Sequence, residues 1–151
     1  MRRLTMSLDD DLAETFDRLV AEKGYQNRSE AFRDLLRGQL GSEELREGSS
    51  KHCIGTLSYL YNHHERQLAS RLTSMQHDHH DIAVSTMHAH LDHDNCIETV
   101  ILRGPTAEVL AFAESVMAEK GVRHGSFKPI PAELEKHGHK NHRHAHLHPT
   151  V

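Results

Sequence analysis

The sequence predicts an α+β chain of two unlike domains, and three observations carry that prediction. The first forty residues read strand, helix, helix. Residues 51–130 read strand, helix, strand, strand, helix, strand, which is the order of the ferredoxin-like split motif. Between them Gly41 to Ser50, GSEELREGSS, is polar and bears glycine and serine, as a linker does. The expected division is a first domain over 1–42, a second over 51–133 and a tail over 134–151.

At the amino end Leu4, Met6 and Leu8 alternate with Arg3, Thr5 and Ser7, and this period of two predicts a strand over 2–8. Asp9, Asp10 and Asp11 begin a helix, acidic residues being favourable in a first turn. Leu12, Phe16, Leu19 and Val20 keep helical spacing until Gly24 ends it. Asn27-Arg28-Ser29-Glu30 has the form of a capping box, with Asn27 as cap and Glu30 reaching back. Ala31, Phe32, Leu35, Leu36 and Leu40 then share one face of a second helix.

A lone short strand leaves its backbone groups unpaired. Two copies pairing antiparallel, with four helices behind, would satisfy them and present Arg3, Thr5 and Ser7 twice on the far face. A two-stranded ribbon of that kind fits the major groove of DNA. Arg3 suits a guanine edge, Thr5 and Ser7 suit neighbouring bases, and the amides near Asn27, Arg28 and Ser29 suit a phosphate. By itself the Arg-Thr-Ser triplet would read as the solvated side of an edge strand. The strand–helix–helix order turns the reading towards DNA.

In the second domain Ile54, Leu57, Tyr59 and Tyr61 mark a strand over 51–62, and Leu68, Leu72 and Met75 mark a helix over 65–77. The stretch HDHHDIAVSTMHAHLDHDNC, His77 to Cys96, holds an alternating strand, then a turn over Asp92 to Asn95. On that strand His88 and His90 project side by side, about 7 Å apart at the backbone. Cys96 opens the next strand, CIETVIL. A fourth donor is available from the helix end that bears His77, His79 and His80. Any one of these alone reads as an ordinary strand or core residue. Together on one hairpin they point to a transition-metal site of imidazole and thiolate, with nickel, copper and zinc left open. Val109, Leu110, Ala113, Val116 and Met117 form the buried stripe of a helix over 106–120, and 122–130 is the last strand.

Composition narrows the function. The formal charge of −4 confines any nucleic-acid contact to a local patch. Two cysteines make no secreted disulfide framework, no apolar run spans a membrane, and MRRLTMSLDDDL lacks the form of a signal peptide. A cytoplasmic protein without a membrane partner is expected. The sixteen histidines make the effective charge sensitive to pH near neutrality. From His137 the chain runs HGHKNHRHAHLHPTV, a low-complexity tail expected to be disordered, whether solvated or metal-collecting.

Residues 2–40 resemble a ribbon-helix-helix domain. With the RxTxS strand and the HxHxxxxxC hairpin, residues 2–131 resemble the NikR family of nickel-responsive transcriptional regulators; LSYLY, LASRL and GVRHG are similar too. The resemblance implies an ACT-like regulatory domain that binds one Ni(II) per subunit. His88, His90 and Cys96 of one subunit would join His77 of a neighbour in a square-planar set. It implies Tyr61 and Glu98 close to the metal, and a potassium-type ion at Glu30 and Asp34, which otherwise read as a capping glutamate and a solvated aspartate. It further implies a homotetramer, a dimer of dimers, that grips a palindromic double-stranded operator when nickel is bound and represses nickel uptake. Ser7 departs from a frequent threonine, and Asp78 interrupts what is often a run of histidines.

Two other readings are carried beside this one. A nickel or zinc storage or delivery protein would lose most of its capacity with residues 137–151. A metal-independent ribbon-helix-helix regulator sensing a small molecule would bind its operator at full strength without metal. An enzyme is not expected, because four protein ligands leave no open coordination position.

Overall fold

A computed structural model describes residues 5–139 and 142–150, apart from the side chains of residues 66, 136–139 and 142–145. The chain divides into two compact units, Met1–Leu40 and Gly41–Val151.

The first unit is helical. Helix α1 spans Asp10–Glu22, with the Asp9 side chain accepting a hydrogen bond from the Leu12 amide at 2.9 Å. Helix α2 spans Arg28–Arg46, with Asn27 Oδ1 accepting from the Glu30 amide at 2.9 Å, the forward half of the expected capping box. The expected strand over 2–8 differs: residues 5–9 have no strand pairing, and Arg3 lies outside the described residues. The physical reason is the one the sequence suggests, since the described residues of this unit hold no second strand to complete a ribbon. Apolar side chains are correspondingly uncovered, Met6 at 54%, Leu12 at 50% and Leu40 at 52% exposure. Only Ala31 is buried among the described residues of this unit.

The segment expected as a linker is also corrected. Residues 41–46 continue α2, where Arg46 pairs with Glu43 one turn back and Leu45 packs against the core of the second unit. Glutamate, leucine and arginine are strong helix formers, and they outweigh the flanking Gly41 and Ser42.

The second unit is an α+β sandwich. Its elements run β1 (His52–Asn62), α3 (Arg66–Asp78), β2 (Ala83–His90), β3 (Asn95–Pro105), α4 (Thr106–Met117), β4 (Arg123–His139) and β5 (His142–Pro149). The sheet order is β2-β3-β1-β4-β5, with every neighbouring pair antiparallel, so the first four strands have the ferredoxin-like arrangement. Strict alternation along β1 buries Cys53, Leu57, Tyr59 and Tyr61, and β3 buries Cys96, Glu98, Val100 and Leu102 on the same period. These residues meet Leu68 and Leu72 of α3 and Val109, Phe112, Ala113 and Val116 of α4. Cys53, one of the chain's two cysteines, is a core residue.

The tail is a correction too. Instead of disorder from residue 134, β4 continues to His139 and pairs with β5, with Leu134 opposite Leu147. The alternation of HRHAHLHP has the period of a strand, and a strand already in place offers it an edge to pair with.

Candidate metal centre

Strand register assembles the site. His90 lies opposite Cys96, and Cys96 lies opposite Tyr61. Two residues along, His88, Glu98 and Tyr59 form a second row. Directly opposed residues share a face of the sheet, so both rows gather on the buried side. The β2–β3 turn is locked by its own sequence. Asp92 Oδ1 accepts from the amides of Asp94 at 2.8 Å and Asn95 at 2.7 Å, an Asx turn that lets aspartate imitate a backbone bend. The Asn95 side chain and these amides hold the Asp92 carboxyl below the usual carboxylate range.

Around the Cys96 sulfur two imidazoles close in: His90 Nδ1 at 3.1 Å and His63 Nδ1 at 3.2 Å. Among the described residues, His63, His90 and Cys96 form the one group of three or more metal-type side chains with donor atoms within 4.8 Å of one another. Burial, then the charges of Glu98 and Asp92, push the Cys96 thiol above its ordinary value. The thiol therefore keeps its proton near neutrality unless a cation takes the proton's place. Two nitrogens and a sulfur suit a borderline transition metal.

His88 stands beside this group, its ring 5.0 Å from that of His90, and belongs to a hydrogen-bond network centred on Glu98. Glu98 Oε1 accepts from Tyr59 at 2.5 Å and from Gln76 Nε2 at 2.5 Å. Glu98 Oε2 accepts from Tyr61 at 3.2 Å and lies 3.3 Å from His88 Nδ1. Thr86 donates to Gln76 Oε1 at 2.6 Å, which ties α3 to β2. Burial, with Glu98 adding to it, raises both phenols, Tyr61 to about 12 and Tyr59 further, so both remain O–H donors. Carboxylates that orient a metal-ligating imidazole have this placement.

Of the four residues expected to hold metal, the structure brings His88, His90 and Cys96 to one end of one sheet. His77 stands apart in the last turn of α3, exposed, next to Gln76. The expected pair Tyr61 and Glu98 is in contact with His88. Sequence reasoning missed His63, Gln76 and Thr86. His63 had a weaker signal: it follows the end of β1 directly, in the turn where its amide donates to the Asp94 carbonyl at 3.1 Å, beside the β2–β3 turn.

In the first unit Thr5, Ser7 and Ser29 are exposed, while Arg28 is engaged. Its guanidinium forms a two-pronged ion pair with Asp17, 2.5 Å on both arms, which binds α2 to α1 and lowers the Asp17 carboxyl. Glu30 and Asp34 line a recess with Tyr25, Arg33 and Arg37, and Asp34 pairs with Arg37 at 3.5 Å.

Comparison with known proteins completes the picture. Residues 2–43 match the ribbon-helix-helix protein family of the copG type, and residues 54–130 match the NikR C-terminal nickel-binding domain. A nickel-responsive regulator of Brucella abortus biovar 1 and one of Brucella suis biovar 1 are each 50% identical over 131 residues, covering 87% of this chain and 99% of theirs. A DNA-binding ribbon-helix-helix unit followed by a nickel-binding sheet defines a class, the metal-responsive regulators of transcription. Within that class the chain belongs to the NikR family of nickel-responsive regulators.

Proposed function

We propose that this chain represses nickel-uptake genes by gripping a palindromic operator when it carries Ni(II), one ion per subunit. The observation that carries the reading is the His90–Cys96 register pair closing on a buried thiol, with His88 alongside. His88, His90 and Cys96 supply three ligands, and His77 of a neighbouring subunit supplies the fourth. His88 Nδ1 faces Glu98, which reserves Nε2 for the metal. A bound Ni(II) would supply the crosslink between subunits, and Glu98, held by Tyr61 and Gln76, would orient His88 towards it.

The assembly is a homotetramer, a dimer of dimers. Uncovered apolar side chains on the first unit and the unpaired segment at its amino end support the pairing of two copies there. The ribbon so formed reads DNA through Arg3, Thr5 and Ser7, with Asn27, Arg28 and Ser29 at the phosphates. Two linked ribbons raise affinity for successive half-sites through effective concentration. Glu30 and Asp34 hold a potassium-type cation, in competition with the Asp34–Arg37 pair. The protein works in the cytoplasm by binding, not catalysis; no helix among the described residues is long and apolar enough to cross a membrane.

The test is operator binding against Ni²⁺ added in slight stoichiometric amounts. Wild type and His63→Ala should respond to the metal, and Cys96→Ala and His90→Ala should not. DNA binding that ignores nickel, or a response that survives in both ligand variants, would overturn the reading. A response lost with His63→Ala would move the third nitrogen from the neighbour's histidine to the chain's own.

A further inference from the structure

We infer that the terminal hairpin carries a second metal site, for a borderline divalent cation, built from Glu133, Glu135, His146 and His148. All four lie beyond residue 130, where the match to the nickel-binding domain ends, and the inference does not depend on the operator-binding reading.

Register makes the site. Glu133 pairs with His148 and Glu135 with His146, so two directly opposed carboxylate–imidazole pairs stand next to each other on one face of the β4–β5 ladder. His148 Nε2 is 3.3 Å from Glu135 Oε2, across the diagonal of that square. A tetrahedral ion with bonds of about 2.0–2.1 Å places neighbouring donors about 3.3 Å apart, so this pair already has the required spacing. The rings of His146 and His148 are 6.2 Å apart, and all four side chains are exposed, so a rotation between staggered wells brings the remaining donors in. Two imidazoles and two carboxylates suit zinc or nickel rather than calcium or magnesium.

The other side of the ladder explains why the row is held. Leu134 opposes Leu147 there, a cross-strand pair that fastens β5 to the sheet. Exposed ion pairs stabilise little by themselves, so two histidine–glutamate pairs are a weak reason for this register. The backbone pairing continues with His137 opposite His144 and His139 opposite His142, at the same alternate positions. A row of this composition has metal binding as its chemistry.

Equilibrium dialysis of the full-length protein against Ni²⁺ alone tests the site. Wild type should hold a second, weaker equivalent per chain. His146→Ala/His148→Ala should lose it while keeping the thiolate-to-nickel absorption band of Cys96. Cys96→Ala should lose the band and keep the weaker equivalent, so failure of one site is distinguishable from failure of the other. Glu133→Gln/Glu135→Gln retains every imidazole and should weaken the second equivalent by about tenfold. Absence of the second equivalent in wild type, or its survival in the double histidine variant, overturns the inference. So does wild-type affinity in the glutamine variant, since the metal would then sit on loose imidazoles.

Discussion

A buried carboxylate met by two phenols, an amide and an imidazole has every oxygen engaged, and Glu98 is placed that way between Tyr59, Tyr61, Gln76 and His88. Replacing it by alanine removes the acceptor of the buried Tyr59 hydroxyl, so Glu98→Ala should destabilise the metal-free protein by about 1–3 kcal/mol, measured by urea unfolding. It should also weaken nickel binding by about 10–100-fold in a chelator competition, because His88 loses the partner of its second nitrogen. Glu98→Gln keeps an acceptor and should lose less of both. Unchanged nickel affinity in the alanine variant would detach the network from the metal. In the sequence, Tyr61 and Glu98 stood out only through family likeness. Gln76 and Thr86 belong to elements that converge only after folding, and no local spacing announces a hydrogen bond between a helix and a distant strand edge. His88, His90 and Cys96 were legible because they lie on one hairpin, where sequence distance and spatial distance agree.

At the scale of the elements, β1 is the central strand, paired on both sides, and Gly55 lies opposite Pro129 of β4. A Cβ built there would stand 2.4 Å from the Lys128 carbonyl oxygen and 2.8 Å from the Phe127 ring. Backbone atoms yield only by moving the strand, so Gly55→Ala should cost about 1–3 kcal/mol in urea unfolding of the second unit. Stability equal to wild type would mean that β4 lies farther from β1 than described. The elements of 51–130 were legible because each has an unambiguous period, two for β1 and β3 and helical for α3 and α4. Where composition was weighed above periodicity, the reading failed. GSEELR looked like a linker, yet its helix formers extend α2, and the histidine tail looked shapeless although its alternation was that of a strand. The amino-terminal segment failed for the opposite reason. Its alternation is clear, but a strand needs a partner, and the described residues of the first unit hold none.

For the molecule as a whole, the two units must respond differently to nickel. The metal-type donors gather in Gly41–Val151, so nickel stabilises that unit in proportion to its occupancy of the folded form. At a free concentration about a hundred times Kd the gain is about 2.7 kcal/mol. That gain depends on pH with a definite sign. The Cys96 thiol is raised above 9.0, so below that value each binding event must expel its proton. Affinity should then fall by about tenfold per unit of decreasing pH. Calorimetry at fixed nickel should show the melting increment of the second unit largest near pH 8 and shrinking steadily towards pH 6. Cys96→Ala should show a smaller increment with a shallower slope over the upper part of that range, because one proton fewer is displaced. An increment that grows on acidification, or one whose pH dependence is unchanged in Cys96→Ala, would mean that nickel is held without the thiolate. The buried sulfur between His63 and His90 would then have only a packing role.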